Sequence, residues 1–516
     1  MTVPEPGAST PRLAAETTTT DTTAPAQRSS MITVDRMAAV DRNAEALGVS
    51  ERQLMESAGN AVARAVREAA PEGGAVTILG GRGNNGGDAF VAARFLDGYD
   101  VSVVLLGRPE NITTHAAEEN WEVLESVAYD TRTVEDSTGV DLDEPDVIVD
   151  GLLGTGVRGA PREPTASAVR ATNRADATVV SVDVPSGVDA DTGEAAGVAV
   201  DADRVVTFHD RKPGLATLDA DVTVADIGIP PAAARFVGPG DLQGLERASD
   251  SHKGENGEVL VIGGGPYTGA PALAAQASLR AGADLAYVAV PEAVAREVQG
   301  YSENLIVTPF SGDRLTPDHV DDLLATAGDR DVVVFGPGLG GEEATLDAVR
   351  EFLGRFSGTA VVDADALQVV PEVDTGATLL CTPHQGELRK MGGETADDWR
   401  ERADLVEAFA ADIGHVLLVK GKEDVVSDGE QTRIGRTGTP AMTVGGTGDV
   451  LAGVTGALAA VLDPFDAAAV AAYANGRAGE RAAGGWSLFG EERQGGLVAT
   501  DLLDELPEVL WGDDDV

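Results

Sequence analysis

Cysteine is almost missing from this chain. Cys381 stands alone among 516 residues, which rules out an internal disulfide and fits a reducing cytoplasm. Its neighbours Leu379 and Leu380 are apolar, so a buried structural thiol is expected rather than a nucleophile. Aromatic residues make up only 4% while Gly, Ala and Val abound, the makeup of an α/β protein packed with small side chains. No apolar run reaches about 18 residues, so no membrane span is expected. The N-terminus shows no charged-then-apolar signal pattern. Residues 1–30 are rich in Thr, Pro and Ala and are expected to form a disordered tail, with Met31 as an alternative start.

Lysine is also scarce. Five occur, at 212, 253, 390, 420 and 422, within 38 cationic residues that are otherwise arginine. The 86 acidic residues bring the net charge to −48 and are spread throughout the chain, which disfavours nucleic acid and anionic membranes as partners. The pattern resembles the solvated acidic surface of halophilic proteins, where a Debye length of about 3 Å at molar salt screens the repulsion. A cytoplasmic protein of a halophilic archaeon is expected. In a chain that avoids lysine, Lys212, Lys253 and Lys420 sit in Arg-Lys-Pro-Gly, His-Lys-Gly and Val-Lys-Gly loops. Each is expected to have a specific task.

The length suggests about two to four domains. A helix is predicted from Ser50, capped by Gln53, with Leu54, Ala58, Ala61, Val62 and Ala65 on one apolar face. β-rich runs follow at 76–80, 101–106, 146–149, 178–182, 204–208 and 222–226, several separated by helical lengths. Gly-Ile-Pro-Pro and Gly-Pro-Gly-Asp interrupt the pattern near 228–250, where a boundary is placed. A second series runs through 258–262, 285–290, 331–335, 359–362, 378–381 and 416–419, and ends in a small-residue helix from about Val450. The fold class is therefore α/β, with two unlike domains rather than a repeat.

Gly-Arg-Gly-Asn-Asn-Gly-Gly-Asp, ending at Asp88, follows the run at 76–80. It is read as a loop whose bare backbone lies against a ligand, with a helix from about Ala89 aimed at an anion. Asn84, Asn85 and Asp88 add oxygen ligands that a phosphate loop alone would not need. Two more strand ends carry suggestive residues, Asp150-Gly-Leu-Leu-Gly and Asp183-Val-Pro-Ser-Gly-Val-Asp. Asn85, Asp150 and Ser186 form a hard oxygen set suited to an alkali or alkaline-earth cation. Asp183 is a candidate acid or base. Asx turns alone would explain any one of these residues, but hardly all three strand ends together.

On these motifs, residues 31–235 resemble the NAD(P)H-hydrate epimerases, which interconvert the R and S hydrates at carbon 6 of the nicotinamide ring. The resemblance implies a Rossmann-like three-layer domain. It implies that Asn84, Asn85, Gly86, Gly87 and Asp88 hold the hydrated dinucleotide together with Gly154, Thr155, Gly156, Val157, Arg158, Gly159 and Ala160. By the same resemblance Asn85, Asp150 and Ser186 ligate potassium, and Asp183 contacts the substrate as a catalytic residue. His209 and Lys212 are read as the end of the domain's core, without chemistry.

The second half offers Gly-Gly-Thr-Gly-Asp at 445–449 ahead of an apolar helix, an anion hole with a carboxylate placed to take a hydroxyl proton. Gly336-Pro-Gly-Leu-Gly340, Thr382-Pro-His-Gln-Gly-Glu387 and Val419-Lys-Gly-Lys-Glu-Asp424 follow strands and support it. Asp363 and Asp365 are expected to organise magnesium or loops. Ser251-His-Lys-Gly254, Tyr267-Thr-Gly-Ala-Pro271 and the Thr-Pro-His-Gln-Gly-Glu run resemble the ADP-dependent NAD(P)H-hydrate dehydratases, ribokinase-like α/β proteins. That likeness covers about 242–512, within a domain drawn at 236–516. It implies that Ala270, Gly338, His384 and Asp449 contact the hydrate, with Asp449 as base. Lys420, Gly421, Lys422, Glu423, Asp424 and Gly448 would hold ADP or AMP with magnesium. Gln385 and Asp424 depart from that family's usual Pro and Thr.

The implied activity is bifunctional repair of hydrated NADH or NADPH, in which ADP drives dehydration of the S form and yields AMP and phosphate. Two alternatives stay open. One is a ribokinase-like small-molecule kinase with an appended nucleotide-binding domain; the other is a first domain that binds without turnover. Small-molecule partners and a homo-oligomer are expected.

Overall fold

The computed structural model describes residues 31–156, 158–484 and 495–512. The expected tail at 1–30 and the site position Val157 lie outside them. Two sheets organise the chain. The first contains β1 (Ala75–Gly80), β2 (Asp100–Leu106), β3 (Asp130–Val134), β4 (Val147–Gly151), β5 (Thr178–Val182), β6 (Arg204–Phe208) and β7 (Asp221–Ala225). Their order is β3-β2-β1-β4-β5-β6-β7 and every pairing is parallel. Such strands read as near-continuous apolar runs because both faces are covered. In β4, Val147 and Val149 face one core and Ile148 the other.

The second sheet contains β8 (Glu258–Ile262), β9 (Leu285–Pro291), β10 (Ile306–Phe310), β11 (Val332–Phe335), β12 (Thr359–Val362), β13 (Thr378–Cys381), β14 (Val416–Val419), β15 (Asp424–Ser427) and β16 (Thr432–Gly435). Its order is β10-β9-β8-β11-β12-β13-β14-β15-β16, parallel up to β14 and closed by an antiparallel hairpin. Both sheets reverse winding direction beside their first strand, between β1 and β4 and between β8 and β11. Open α/β sheets bind ligands at such switch points, beyond the strand carboxyl ends.

Four strands escape the sequence pattern. β3 is Asp-Thr-Arg-Thr-Val with only Val134 buried, and β10 is an edge strand with Pro309 and no buried residue. Neither has the apolar run of a central strand. The hairpin β15–β16 consists of four-residue strands that start within the segment read as a nucleotide loop. Two helices begin earlier than predicted. The first runs Asn84–Arg94, so Asn84 to Asp88 form its opening turn rather than a loop before it. Glycine is needed at position 86 because a Cβ there would meet the Gly81 carbonyl oxygen at 2.1 Å. The second runs Thr447–Leu458 and puts Asp449 in its first turn. The helix Glu51–Ala69 forms as predicted, with Ser50 and Gln53 in a reciprocal capping box.

The two sheets are joined through residues 236–244. The Val237 amide donates to the Ile434 carbonyl on β16 at 3.0 Å. Asp241, 2% exposed, accepts from Arg36 at 2.6 Å, Asn43 at 2.9 Å and Arg433 at 3.0 Å. Helix Val34–Ala46 of the first half is thereby fastened to β16 of the second.

Candidate active sites

At the first switch point β4 delivers Asp150, wholly buried. Its Oδ1 accepts from the Ser186 hydroxyl at 2.6 Å and its Oδ2 from the Ser181 hydroxyl and the Ser186 amide, both at 2.8 Å. Burial raises its pKa while these donors pull the other way. None of these partners is a cation. Asn85 turns its Nδ2 toward the Val182 carbonyl at 2.7 Å and the Leu153 carbonyl at 3.3 Å, leaving Oδ1 against Gly154. A buried carboxylate without a cationic side chain, beside a free amide oxygen and a serine hydroxyl, is a donor set that fits a hard monovalent cation.

Asp183 follows directly on β5 with φ +64°, a left-handed conformation that an aspartate tolerates better than most residues. The bend carries its carboxylate to the end of β6, where Oδ1 accepts from Thr207 Oγ1 at 2.9 Å and Lys212 Nζ at 2.5 Å. Lys212 is fully buried, and its remaining donors reach Thr207 Oγ1 and the Phe208 carbonyl, both at 3.1 Å. Its reading as inert core is corrected: a lysine loses its hydration only where an ion pair and hydrogen bonds replace it. The scarcity of lysine was the signal. Lys253, marked by the same signal, is exposed and joins neither site.

A cavity of about 410 Å³ opens beside these groups, lined by Asn84, Asn85, Asp88, Thr155, Asp183 and Lys212, with Asp41 and Glu51 from flanking helices. Asp88 is pushed well above the usual carboxylate range, by burial first and then by the charges of Asp183, Asp41 and Glu51, with Lys212 opposing. Asn84 donates to Glu51 at 2.6 Å. Gly86 and Gly87 are packing positions; a Cβ at Gly87 would meet the Met55 sulfur at 2.7 Å. Gly154 and Thr155 reach the site. Gly156, Arg158, Gly159 and Ala160 run on along an exposed loop, with Arg158 3.8 Å from Asp35. Asp41 and Glu51 carried no mark in the sequence, whereas Lys212 was marked by lysine scarcity but given no chemistry.

The second constellation forms where four loops converge. Gly446, at φ +100°, starts the helix that carries Asp449. A Cβ at Gly448 would touch Lys420 Nζ at 3.3 Å, so the lysine lies against this helix N-terminus. Lys420 pairs with Asp363 at 3.0 Å and lies 3.9 Å from Glu387. Burial opposes its charge, but Asp363 and Glu387 more than compensate and its pKa rises. Asp449 is raised to about 7, by burial first and by Asp363 and Glu387, with Lys420 opposing. Asp363 also accepts from Thr382 at 2.8 Å, so it organises the loop, as expected. His384 caps the helix Gln385–Lys390, its Nδ1 accepting from the Gly386 amide at 2.8 Å. Its Nε2 lies 3.6 Å from Glu387 Oε1.

Ala270 and Gly338 meet across the switch point, where a Cβ on Gly338 would lie 3.3 Å from that of Ala270. Asp424 folds back to accept from the Gly421 amide at 2.8 Å, and burial raises it to about 7. Its extra acidity is thus spent inside the turn. Glu423 lies 3.7 Å from Arg402 and 3.6 Å from Lys422, whose side chain is 90% exposed. Cys381 is buried, its thiol pushed up to about 12, in keeping with a structural role. Among the described residues no helix is long and apolar enough to cross a membrane.

Comparison with known proteins places the chain in a group. Residues 51–214 match the family model described as YjeF-related protein N-terminus, and residues 259–505 match that of NAD(P)H-hydrate dehydratase. The bifunctional NAD(P)H-hydrate repair enzyme Nnr of Methanothermobacter thermautotrophicus is 44% identical over 496 residues, covering 92% of this chain and 94% of that one. Its counterpart in Pyrobaculum aerophilum is 45% identical over 500 residues, covering 93% and 98%. A solved ADP/ATP-dependent NAD(P)H-hydrate dehydratase from Bacillus subtilis, co-crystallised with ATP and magnesium, is 25% identical at a TM-score of 0.45. It covers 53% of this chain and 97% of that one.

Proposed function

The chain belongs to the family of bifunctional NAD(P)H-hydrate repair enzymes, and we propose that its two constellations divide that work. The first interconverts the R and S hydrates. The second dehydrates the S form. The observation that carries this reading is the presence of both sites on one chain that matches such enzymes over nearly its whole length.

In the epimerase site, Asp183 and its partner Lys212 contact the substrate and exchange protons with it, while Asn84, Asp88 and Thr155 line the pocket that orients it. Asn85, Asp150 and Ser186 would hold potassium, which would supply a fixed positive charge at the site. The uncompensated Asp150 carboxylate supports that assignment.

In the dehydratase site, Asp449 takes the proton of the ring hydroxyl as that oxygen attacks the terminal phosphate of ADP. The oxygen–phosphorus bond forms and AMP leaves. The carbon–oxygen bond then breaks, phosphate departs, and loss of a ring proton restores the double bond. Phosphate leaves far more readily than hydroxide, which is why a kinase-like site can run a dehydration. Lys420 and the amides of the helix N-terminus hold the phosphates, with Gly421, Gly448 and the 422–424 turn around the nucleotide. Ala270, Gly338 and His384 border the hydrate. Magnesium neutralises phosphate charge when bound.

A time course with pure R hydrate, ADP, magnesium and potassium tests both halves. Absorbance of the reduced nicotinamide should return after a lag set by epimerisation. Return from S hydrate but never from R hydrate would remove the epimerase assignment. Phosphorylation of an unrelated alcohol without any return of absorbance would establish the kinase reading instead.

A further inference from the structure

Asp41, in the epimerase cavity, has no task in the reading above. Asp41 lies on helix Val34–Ala46 and lines the same cavity as Asp183, Lys212, Asp88 and Thr155. Its helix is held in place on both sides of it. Arg36 and Asn43 bind Asp241, Arg36 also donates to the Ala234 carbonyl at 2.6 Å, and the Gly240 amide donates to Asn43 at 2.8 Å. The Asp41 carboxyl itself has no hydrogen-bond partner among the described residues. A half-buried carboxyl on a clamped helix, aimed into a substrate cavity and bonded to nothing there, is available to the substrate.

The chemistry calls for a second proton handler. Carbon 6 of the hydrate bears its hydroxyl next to the ring nitrogen, so inversion there requires the carbon–oxygen bond to open and close again on the other face. A proton delivered to the hydroxyl lets it leave as water while the nitrogen lone pair forms a carbon–nitrogen double bond. Water then adds to the opposite face and gives up one proton. Atoms and electrons balance, and no oxidant or reductant is needed. One acid and one base, placed on different elements, suffice.

We propose that Asp41 is a catalytic residue of the epimerase, the acid that protonates the departing hydroxyl while Asp183 receives the proton of the entering water. The roles exchange in the reverse direction. This inference rests on the epimerase reading of the site. The charged groups facing Asp41 are Lys212, Asp183, Asp88 and Glu51, with Arg42 and Glu45 from its own helix. Burial raises its pKa to about 7, Asp183 and Glu51 adding to the rise and Lys212 opposing it. The group therefore still carries a proton near neutrality, as an acid requires.

The test uses the full chain with R hydrate, following R-to-S conversion by proton NMR without ADP. Asp41→Asn should lower kcat by roughly 100-fold or more with little change in KM. Wild type should lose kcat above a pH of about 7, and that limb should vanish in Asp41→Asn. Asp41→Glu, which keeps a carboxyl, should recover part of the rate and the limb. Wild-type kcat in Asp41→Asn overturns the proposal. So does equal loss in Asp41→Glu and Asp41→Asn, or a loss confined to KM, since either marks a structural role. If wild type itself fails to convert R hydrate, the epimerase reading has failed rather than the role of Asp41.

Discussion

The two sites of this chain share one plan and differ in how closed they are. Each lies at the switch point of a parallel sheet, and each sets a lysine–aspartate pair beside a further aspartate raised to about 7. In the first site the pair is Lys212–Asp183 at 2.5 Å, with the lysine side chain wholly buried. In the second it is Lys420–Asp363 at 3.0 Å, with the lysine 21% exposed, beside a helix N-terminus and a His384 side chain that is 59% exposed. The first arrangement suits proton exchange on a substrate that gains and loses only water. The second leaves its cation and its amides open to phosphate, which must enter and leave in every cycle. The same residue types thus serve two chemistries, and exposure decides which.

The widest separation between the sites should come from Asp449→Asn. Dehydration of S hydrate is expected to fall by roughly 100- to 10,000-fold, the usual range for a lost proton-transfer group, while R-to-S conversion stays at the wild-type rate. Loss of both activities would mean that the sites do not work independently.

Lysine burial provides the next contrast. Lys212→Met strands the Asp183 carboxylate in a buried setting and should lower stability by about 3–5 kcal/mol in chemical denaturation. Lys420→Met removes a lysine that is itself 21% exposed, against 0% for Lys212, although Asp363 is as buried as Asp183; it should cost less than Lys212→Met and act mainly on the affinity for ADP. Equal destabilisation by the two would erase the distinction drawn from exposure.

A smaller effect is expected from pH. A base raised to about 7 must lose its proton to act, so the dehydratase kcat/KM should be flat above that pH. Below it the value should fall about tenfold per pH unit. Asp363, Glu387 and Lys420 are the charges that face Asp449 and set this value. A profile flat down to pH 5 would exclude Asp449 as the base.

Much of this was readable in the residues because parallel strands buried on both faces announce themselves as apolar runs, and ligands gather at their ends. Asn85, Asp150 and Ser186 come together as expected, as do Lys420, Gly448 and Asp449. The edge strands β3 and β10 were hidden because an edge needs no apolar run. Asn84 to Asp88 looked like a loop because glycines inside a helix have no local signature; the approach of Gly81 and Met55 that demands them lies elsewhere in the chain. Asp41 was invisible for a related reason. One acid among 86 carries no mark until a cavity surrounds it.

The smallest effect concerns the clamp between the halves. Asp241 accepts from Arg36 on the helix that bears Asp41 and from Arg433 on β16, with Arg433 also reaching Asp466 at 3.0 Å. Arg433→Lys keeps the charge but not the reach and rigid placement of Nη1, the one nitrogen that serves both carboxylates. Arg36 and Asn43 still hold Asp241, so the loss should be about 1 kcal/mol in stability. Epimerase kcat should then fall only a few-fold, through a looser Asp41 helix, and the dehydratase rate should not move. If Arg433→Lys instead slows epimerisation as far as Asp183→Asn does, the epimerase site is not self-contained. Its closure would then depend on the second half, and the contrast between the sites would lie in the clamp rather than in their exposure.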